Sequence, residues 1–282
     1  MGTRKADFAG SWYPGTKREC INTIEDYMSK VRNPEGEYTG FGGIVPHAGW
    51  YFSGKTALTV FSAINRKIKP DLIFLFGMHL PEGSGDFIFI DDSVETPLGN
   101  LEVNREASEM LSGSFNFTEE NASHYSSDNT LELQFPLIKY IFPDTSVVVI
   151  GVAPTYRAFE IGEKAVSIAE RLGLSASFIG STDLTHYGPN YGFTPEGTGK
   201  KSVQWVKEVN DKRIIDAFLR AEPGEVIKEA LSSRNACCPG AAGAAIAGAG
   251  KSGAVRGTLA HYTTSYDIHP DQSFVGYAGV VY

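Results

Sequence analysis

Strand and helix signals alternate along this sequence. That alternation predicts an α/β fold with a mixed, mostly parallel central sheet flanked by helices on both faces. Two further observations support the prediction. Residues 71–76 and 146–152 are continuous apolar runs, the pattern of strands covered on both sides. Glycine is abundant, at 31 residues, and much of it stands beside predicted strand ends. There is no internal repeat or heptad run, and the Gly- and Pro-rich stretch 188–200 is too short for an interdomain linker. The 282 residues are therefore expected to form a single domain.

Each element has its own warrant. Ile21, Ile24 and Met28 give residues 21–30 helical spacing. Residues 43–46 form a short apolar strand. Ala57, Val60, Phe61 and Ile64 make one stripe of a helix over 53–64. The strand 71–76 follows, then another at 87–90. Helices are expected over 105–112 and 132–141. Residues 146–152 are β-branched and read as a central strand. A helix over 158–173 ends at Gly173, a residue suited to the left-handed position that closes helices. A strand at 176–180 precedes a long helix, 202–220. Pro223-Gly224 separates this from a helix at 225–231. An Ala-rich helix spans 239–250, and strands at 256–264 and 275–282 close the sequence.

Composition narrows the function classes. The net charge is -8 and there is no basic run, which argues against binding nucleic acid or an anionic membrane through phosphates. No stretch of 18 apolar residues suggests a transmembrane helix, and residues 1–11 lack the apolar centre of a signal peptide. A cytoplasmic protein is expected. Its three cysteines, Cys20 and the adjacent Cys237 and Cys238, do not suggest a disulfide framework.

In open α/β sheets ligands bind beyond the carboxyl ends of the strands. His47 follows the predicted strand 43–46, and His79 follows 71–76. Asp183 and His186 follow 176–180. Cys237 and Cys238 precede the Ala-rich helix, where the positive end of the helix dipole favours a thiolate. Two imidazoles, a thiolate and a nearby carboxylate form a metal-binding set. Imidazole suits iron, copper, zinc and nickel; the thiolate favours zinc or copper and leaves iron open. Three protein ligands with a free fourth position belong to a reactive site. Asp183 and His186 point the same way if they share a helical turn, as partners behind the metal or as an acid/base pair.

Blander readings stand beside these. A histidine after a strand is often a hydrogen-bonded loop residue, and a free cysteine is often a small buried hydrophobe. Cys20 is read as core, Trp12 and Tyr13 as packing residues, and His261 as a satisfied strand residue. His124 and His269 have no comparable setting. No HExxH, CxxC, P-loop or GxSxG motif is present.

Several blocks resemble one family. They are Ala9-Gly10-Ser11-Trp12-Tyr13-Pro14, Pro46-His47-Ala48-Gly49 with Ser53-Gly54, Thr96-Pro97-Leu98-Gly99, Leu131-Glu132-Leu133-Gln134-Phe135-Pro136, Ser181-Thr182-Asp183-Leu184-Thr185-His186-Tyr187 and Val275-Gly276-Tyr277-Ala278. Together, in this order, they resemble the Memo-like family over essentially the whole chain. The resemblance implies a fold similar to the LigB-type, class III extradiol dioxygenases, in which a non-haem metal activates oxygen. It implies a two-His, one-Cys metal site at His47, His79 and Cys237, with Asp183 and His186 as the catalytic pair on the same rim. The implied cofactor is iron(II) or copper, with zinc as the alternative. In prokaryotes such genes accompany a radical S-adenosylmethionine enzyme, which implies a partner in a modification system. Two departures stand out. The family's Gly-Pro-x-His block is here Phe76-Gly77-Met78-His79, and its His-Ser pair is here Asn129-Thr130.

The leading expectation is redox or oxygen-dependent chemistry on a small organic substrate. The first alternative is a non-enzymatic module that holds a phosphorylated or acidic peptide in the same pocket. The second is a metal-dependent hydrolase.

Overall fold

The computed structural model describes residues 2–282. Among them are twelve strands: β1 Thr3–Arg4, β2 Gly42–Val45, β3 Leu72–Gly77, β4 Asp86–Phe89, β5 Ser93–Val94, β6 Leu101–Glu102, β7 Phe117–Glu120, β8 Ser146–Gly151, β9 Ala176–Ser181, β10 His186–Tyr187, β11 Thr258–Thr264 and β12 Phe274–Val281. Nine build one mixed sheet in the order β10-β12-β2-β9-β3-β8-β4-β7, with β11 also paired to β12. Its centre, β2-β9-β3-β8, is parallel throughout. The outer pairings β12-β2 and β8-β4 are antiparallel. β1, β5 and β6 form a separate small sheet.

The continuous apolar run of β3 has a direct cause: every residue of the strand is buried. Side chains alternate across a strand. Leu72, Phe74 and Phe76 enter one core cluster with Val148, Ile150 and Phe178. Ile73 and Leu75 enter the opposite cluster with Val147, Val149 and Ile179. Helices Arg157–Leu172, Asp211–Arg220, Pro223–Ser233 and Pro239–Lys251 supply the first cluster. Lys17–Met28, Trp50–Lys67 and Phe135–Ile141 supply the second. The α/β architecture with a covered, mixed sheet is thus as expected.

Three local expectations need correction. The helix expected over 132–141 is two pieces, Asn129–Glu132 and Phe135–Ile141. Pro136 has no N–H to give and is tolerated only in a first turn, so a new helix starts there. The helix expected over 202–220 contains a wider π-type turn, Val206–Asn210, at whose end the consecutive residues Asn210 and Asp211 are both buried. Asp183 and His186 share no helical turn. Leu184 N–H donates to Gly276 O, and Gly276 N–H donates to Thr185 O, which draws the segment out along β12 and places His186 in β10.

The helix Pro239–Lys251 is apolar on all sides, and Pro239 to Ala249 are all buried. It packs against the sheet and against Arg157–Leu172 at very short range. A Cβ on Gly162 would collide with the Ala244 carbonyl, and one on Gly240 with the Val152 and Ala153 carbonyls. Among the described residues no helix is long and apolar enough to cross a membrane.

Candidate metal centre

β2, β9 and β3 are neighbours, and Val45 lies opposite Ser181 while Phe76 lies opposite Gly180. The three strands therefore end at one level. Each delivers one polar side chain two residues later: His47, Asp183 and His79. Cys237 arrives from the other direction, in the loop before helix Pro239–Lys251. His47 Nε2 lies 3.2 Å from His79 Nε2 and 3.2 Å from Cys237 Sγ. Ligand atoms of His47, His79, Cys237 and Cys238 all fall within 4.8 Å of one another. Two nitrogens on a tetrahedral ion, at bonds of about 2.0–2.1 Å, would stand about 3.3 Å apart. The donor set and its spacing fit a metal ion.

Each side chain is held by identifiable neighbours. His47 N–H donates to Asp183 Oδ1 at 2.7 Å. Its ring Nδ1 lies 3.1 Å from Ser181 Oγ, and the Ser181 hydroxyl donates its only proton to Thr130 O at 2.6 Å. Ser181 can then only accept from Nδ1–H. In the neutral ring this leaves the lone pair on Nε2, aimed at His79 and Cys237. His79 follows Met78, whose φ of 70° is rare for a residue with a side chain. Met78 N–H donates to Thr130 Oγ1 at 2.7 Å, and the Thr130 hydroxyl donates to Asp128. Thr130 thus supports both histidines. Asn129 Nδ2 donates to His47 O at 3.2 Å. The Asn129-Thr130 pair of the sequence is therefore part of the scaffold of the site.

The cysteines divide their roles. Cys237 N–H donates to Asp183 O at 3.1 Å, and Cys238 N–H donates to Thr182 Oγ1 at 3.0 Å. Asp183 N–H in turn donates to Cys237 Sγ at 3.3 Å. Burial acts to raise the Cys237 pKa, but the Cys238 thiol, His47 and His79 outweigh it and hold Cys237 well below the usual thiol range. Burial and the neighbouring thiolate push Cys238 well above it. Their sulfurs are 3.7 Å apart, and the proton between them belongs to Cys238. Burial works against a charge on His47, yet Asp183 and Cys237 push its pKa up to about 9. The pair is then a thiolate facing an imidazolium, and a bound ion would take the place of that proton.

Asp183 also reaches His186, whose Nε2 lies 3.9 Å from Asp183 Oδ2 and whose ring stacks on Tyr191 at 5.0 Å. Burial opposes protonation of His186, but the Asp183 carboxylate as acceptor and the Cys237 charge raise its pKa. Two cavities meet at this His186–Tyr191 wall. One, of about 590 Å³, opens above His47, His79, Asn129 and Asp183. Trp12 and Tyr51 stand on its rim with 42% and 69% of their surface exposed. The other, of about 390 Å³, reaches Cys237 and carries Arg234 and Glu82.

The structure brings together His47, His79, Cys237, Asp183 and His186. His261 is a strand residue bonded to Thr56 at 2.8 Å, away from the site, and Cys20 is core. Trp12 does more than pack, since it lines the larger cavity, and His269, which had no setting in the sequence, lines the same wall. Sequence reasoning also missed Ser181, Thr130, Tyr191 and Arg234. Arg234 stands just before Cys237, but nothing in its local pattern marks it.

Residues 4–281 match the family model described as "Memo-like protein". The chain is similar to a MEMO1 family protein of Thermococcus onnurineus, 30% identical over 97% of both chains. It is similar to one of Nitrosopumilus maritimus, 29% identical over 98% of both. It is also similar to one of Methanosarcina barkeri, 30% identical over 99% of both. Among solved structures, an uncharacterized protein of Escherichia coli K12 superposes with a TM-score of 0.53 at 10% identity. The match covers 85% of this chain and 98% of that one, a likeness of fold alone.

Proposed function

This chain belongs to the Memo-like protein family, and we propose that it holds one iron or copper ion on His47, His79 and Cys237 and acts on a small organic substrate in the cavity above. The observation that supports this most is the Ser181-fixed ring of His47, which turns its Nε2 lone pair toward His79 and Cys237. A bound iron or copper would supply one-electron chemistry and Lewis acidity. The chain's own groups do the rest. Cys238 stays protonated and steadies the Cys237 thiolate. Asp183 fixes the His47 main chain and orients His186. His186, on the wall of both cavities, gives or takes a proton at the substrate. Trp12, Tyr51 and Tyr191 cover the bound substrate and limit water.

Metal analysis of protein prepared without air tests this reading. About one iron or copper per chain is expected, lost in His47→Ala and Cys237→Ser but kept in Cys238→Ser. Loss in Cys238→Ser alone would move the thiolate to the neighbouring residue. With metal bound, oxygen uptake on a panel of small aromatic and aliphatic substrates should exceed the metal-free background. No metal under any loading condition would favour a peptide-binding module. Zinc bound in preference to iron or copper, with ester or amide turnover, would favour a hydrolase.

A further inference from the structure

We propose that Arg234 is a substrate anchor and that the molecule taken by this site is a small organic acid with a single carboxylate. The inference deepens the reading above and rests on the reaction site extending past the His186–Tyr191 wall into the smaller, 390 Å³ cavity. Arg234 lines the 390 Å³ cavity together with Cys237 and His186, so a group held by it shares that cavity with one of the candidate metal ligands.

Three observations carry the assignment. The first is that the guanidinium is uncommitted. Among the described residues no side-chain ion pair or hydrogen bond engages it, and Glu229, five residues earlier on the same helix, is taken by Asn235 Nδ2. The second is that Arg234, though exposed, rests on an aromatic face. Its guanidinium lies 4.7 Å from the Phe193 ring centroid, and Phe193 packs against Tyr187 and Trp205. The third is that the backbone holds it against its own preference. Arg234 ends helix Pro223–Ser233 at φ 52° and ψ 44°, a position that glycine fills without strain.

The rest of the cavity selects the ligand class. Leu80, Pro154, Leu184, Tyr191 and Leu231 offer an apolar body. Arg234 is the one fixed cation of the lining, and Glu82 opposes a second negative charge. A planar guanidinium matches a carboxylate with two parallel hydrogen bonds. A phosphate dianion would call for more positive charge than this wall provides. The ligand is therefore an apolar monocarboxylate whose carboxylate sits on Arg234 and whose body points toward the His47–His79–Cys237 group.

Calorimetry on metal-free, full-length protein tests this with acetate, benzoate and 3-phenylpropionate, each against its amide. At least one acid is expected to bind about tenfold or more tightly than its amide. Arg234→Gln should erase that preference and Arg234→Lys should keep part of it, with metal stoichiometry unchanged in both. Arg234→Gly should also erase it while melting at a higher temperature than the wild type, because glycine relaxes the left-handed position. Acids and amides binding alike, or a preference that survives Arg234→Gln, would overturn the proposal. So would inorganic phosphate binding more tightly than every acid. A lower melting temperature for Arg234→Gly would assign the residue to the fold and overturn it as well. Metal loss in His47→Ala with acid binding intact leaves this inference standing, and failure of acid binding with metal intact leaves the metal reading standing.

Discussion

Ser181 shows how much a single hydroxyl can determine. It accepts from His47 and donates to Thr130, so removing it frees the ring to rotate and to exchange tautomers. Ser181→Ala should weaken metal affinity by about 10–100-fold, as loss of a supporting hydrogen bond at a metal site does. Competition with a coloured chelator would measure this, and unchanged affinity would remove Ser181 from the site. Asp211 makes a different prediction. It is buried with the Thr185 N–H and the Thr185 and Tyr262 hydroxyls as partners, and burial pushes its pKa up to about 6. An unfolded chain releases that proton near pH 4. Between these values the folded state binds more protons, so stability falls as pH rises through the window and stays reduced above it. The loss is on the order of 2–3 kcal/mol. Denaturant titrations from pH 4 to 7 should show wild type losing stability relative to Asp211→Asn; parallel curves would mean that Asp211 ionises normally. At this scale the sequence was partly legible. His47, His79, Asp183 and Cys237 stand beside recognisable element ends. Ser181 and Arg234 take their roles from Thr130 and the cavity, which no local spacing reveals.

Among the elements, the helix Pro239–Lys251 sets the position of both cysteines. It is seated by backbone against backbone, with Gly240 under the end of β8 and Gly162 of the neighbouring helix against Ala244. Gly162→Ala and Gly240→Ala should each destabilise by about 1–3 kcal/mol through overpacking. Only Gly240→Ala, at the cysteine end, should also weaken metal binding. Melting curves and metal titrations of the two variants separate the effects, and equal metal affinity in both would detach the helix from the site. Elements with a strong stripe or a long apolar run were legible, such as Trp50–Lys67 and β3. The 129–141 region was misread because Pro136 resets the helix. Residues 183–186 were misread because β12, distant in sequence, dictates their extended form.

For the whole molecule, the parallel order β2-β9-β3 converts three separate chain segments into one rim, and the loop carrying Cys237 closes it from a fourth. A metal ion there would join parts of the chain that are otherwise linked only through the sheet. At a free concentration about 100-fold above Kd, binding contributes about 2.7 kcal/mol. For a chain of this size the melting temperature should rise by about 4–5 °C, and a chelator should reverse it. Calorimetric scans with and without metal check this, and no shift at saturation would place the ion elsewhere.

The two sides of the site are not built alike. Cys237 leads directly into a helix packed backbone against backbone, while His79 hangs on an exposed turn after Met78, whose φ is left-handed. The centre is a clamp with one buried jaw and one open to solvent. An ion held in such a clamp would enter and leave on the open side, so its rate of exchange would belong to the turn at His79, whatever the final affinity owes to the cysteine.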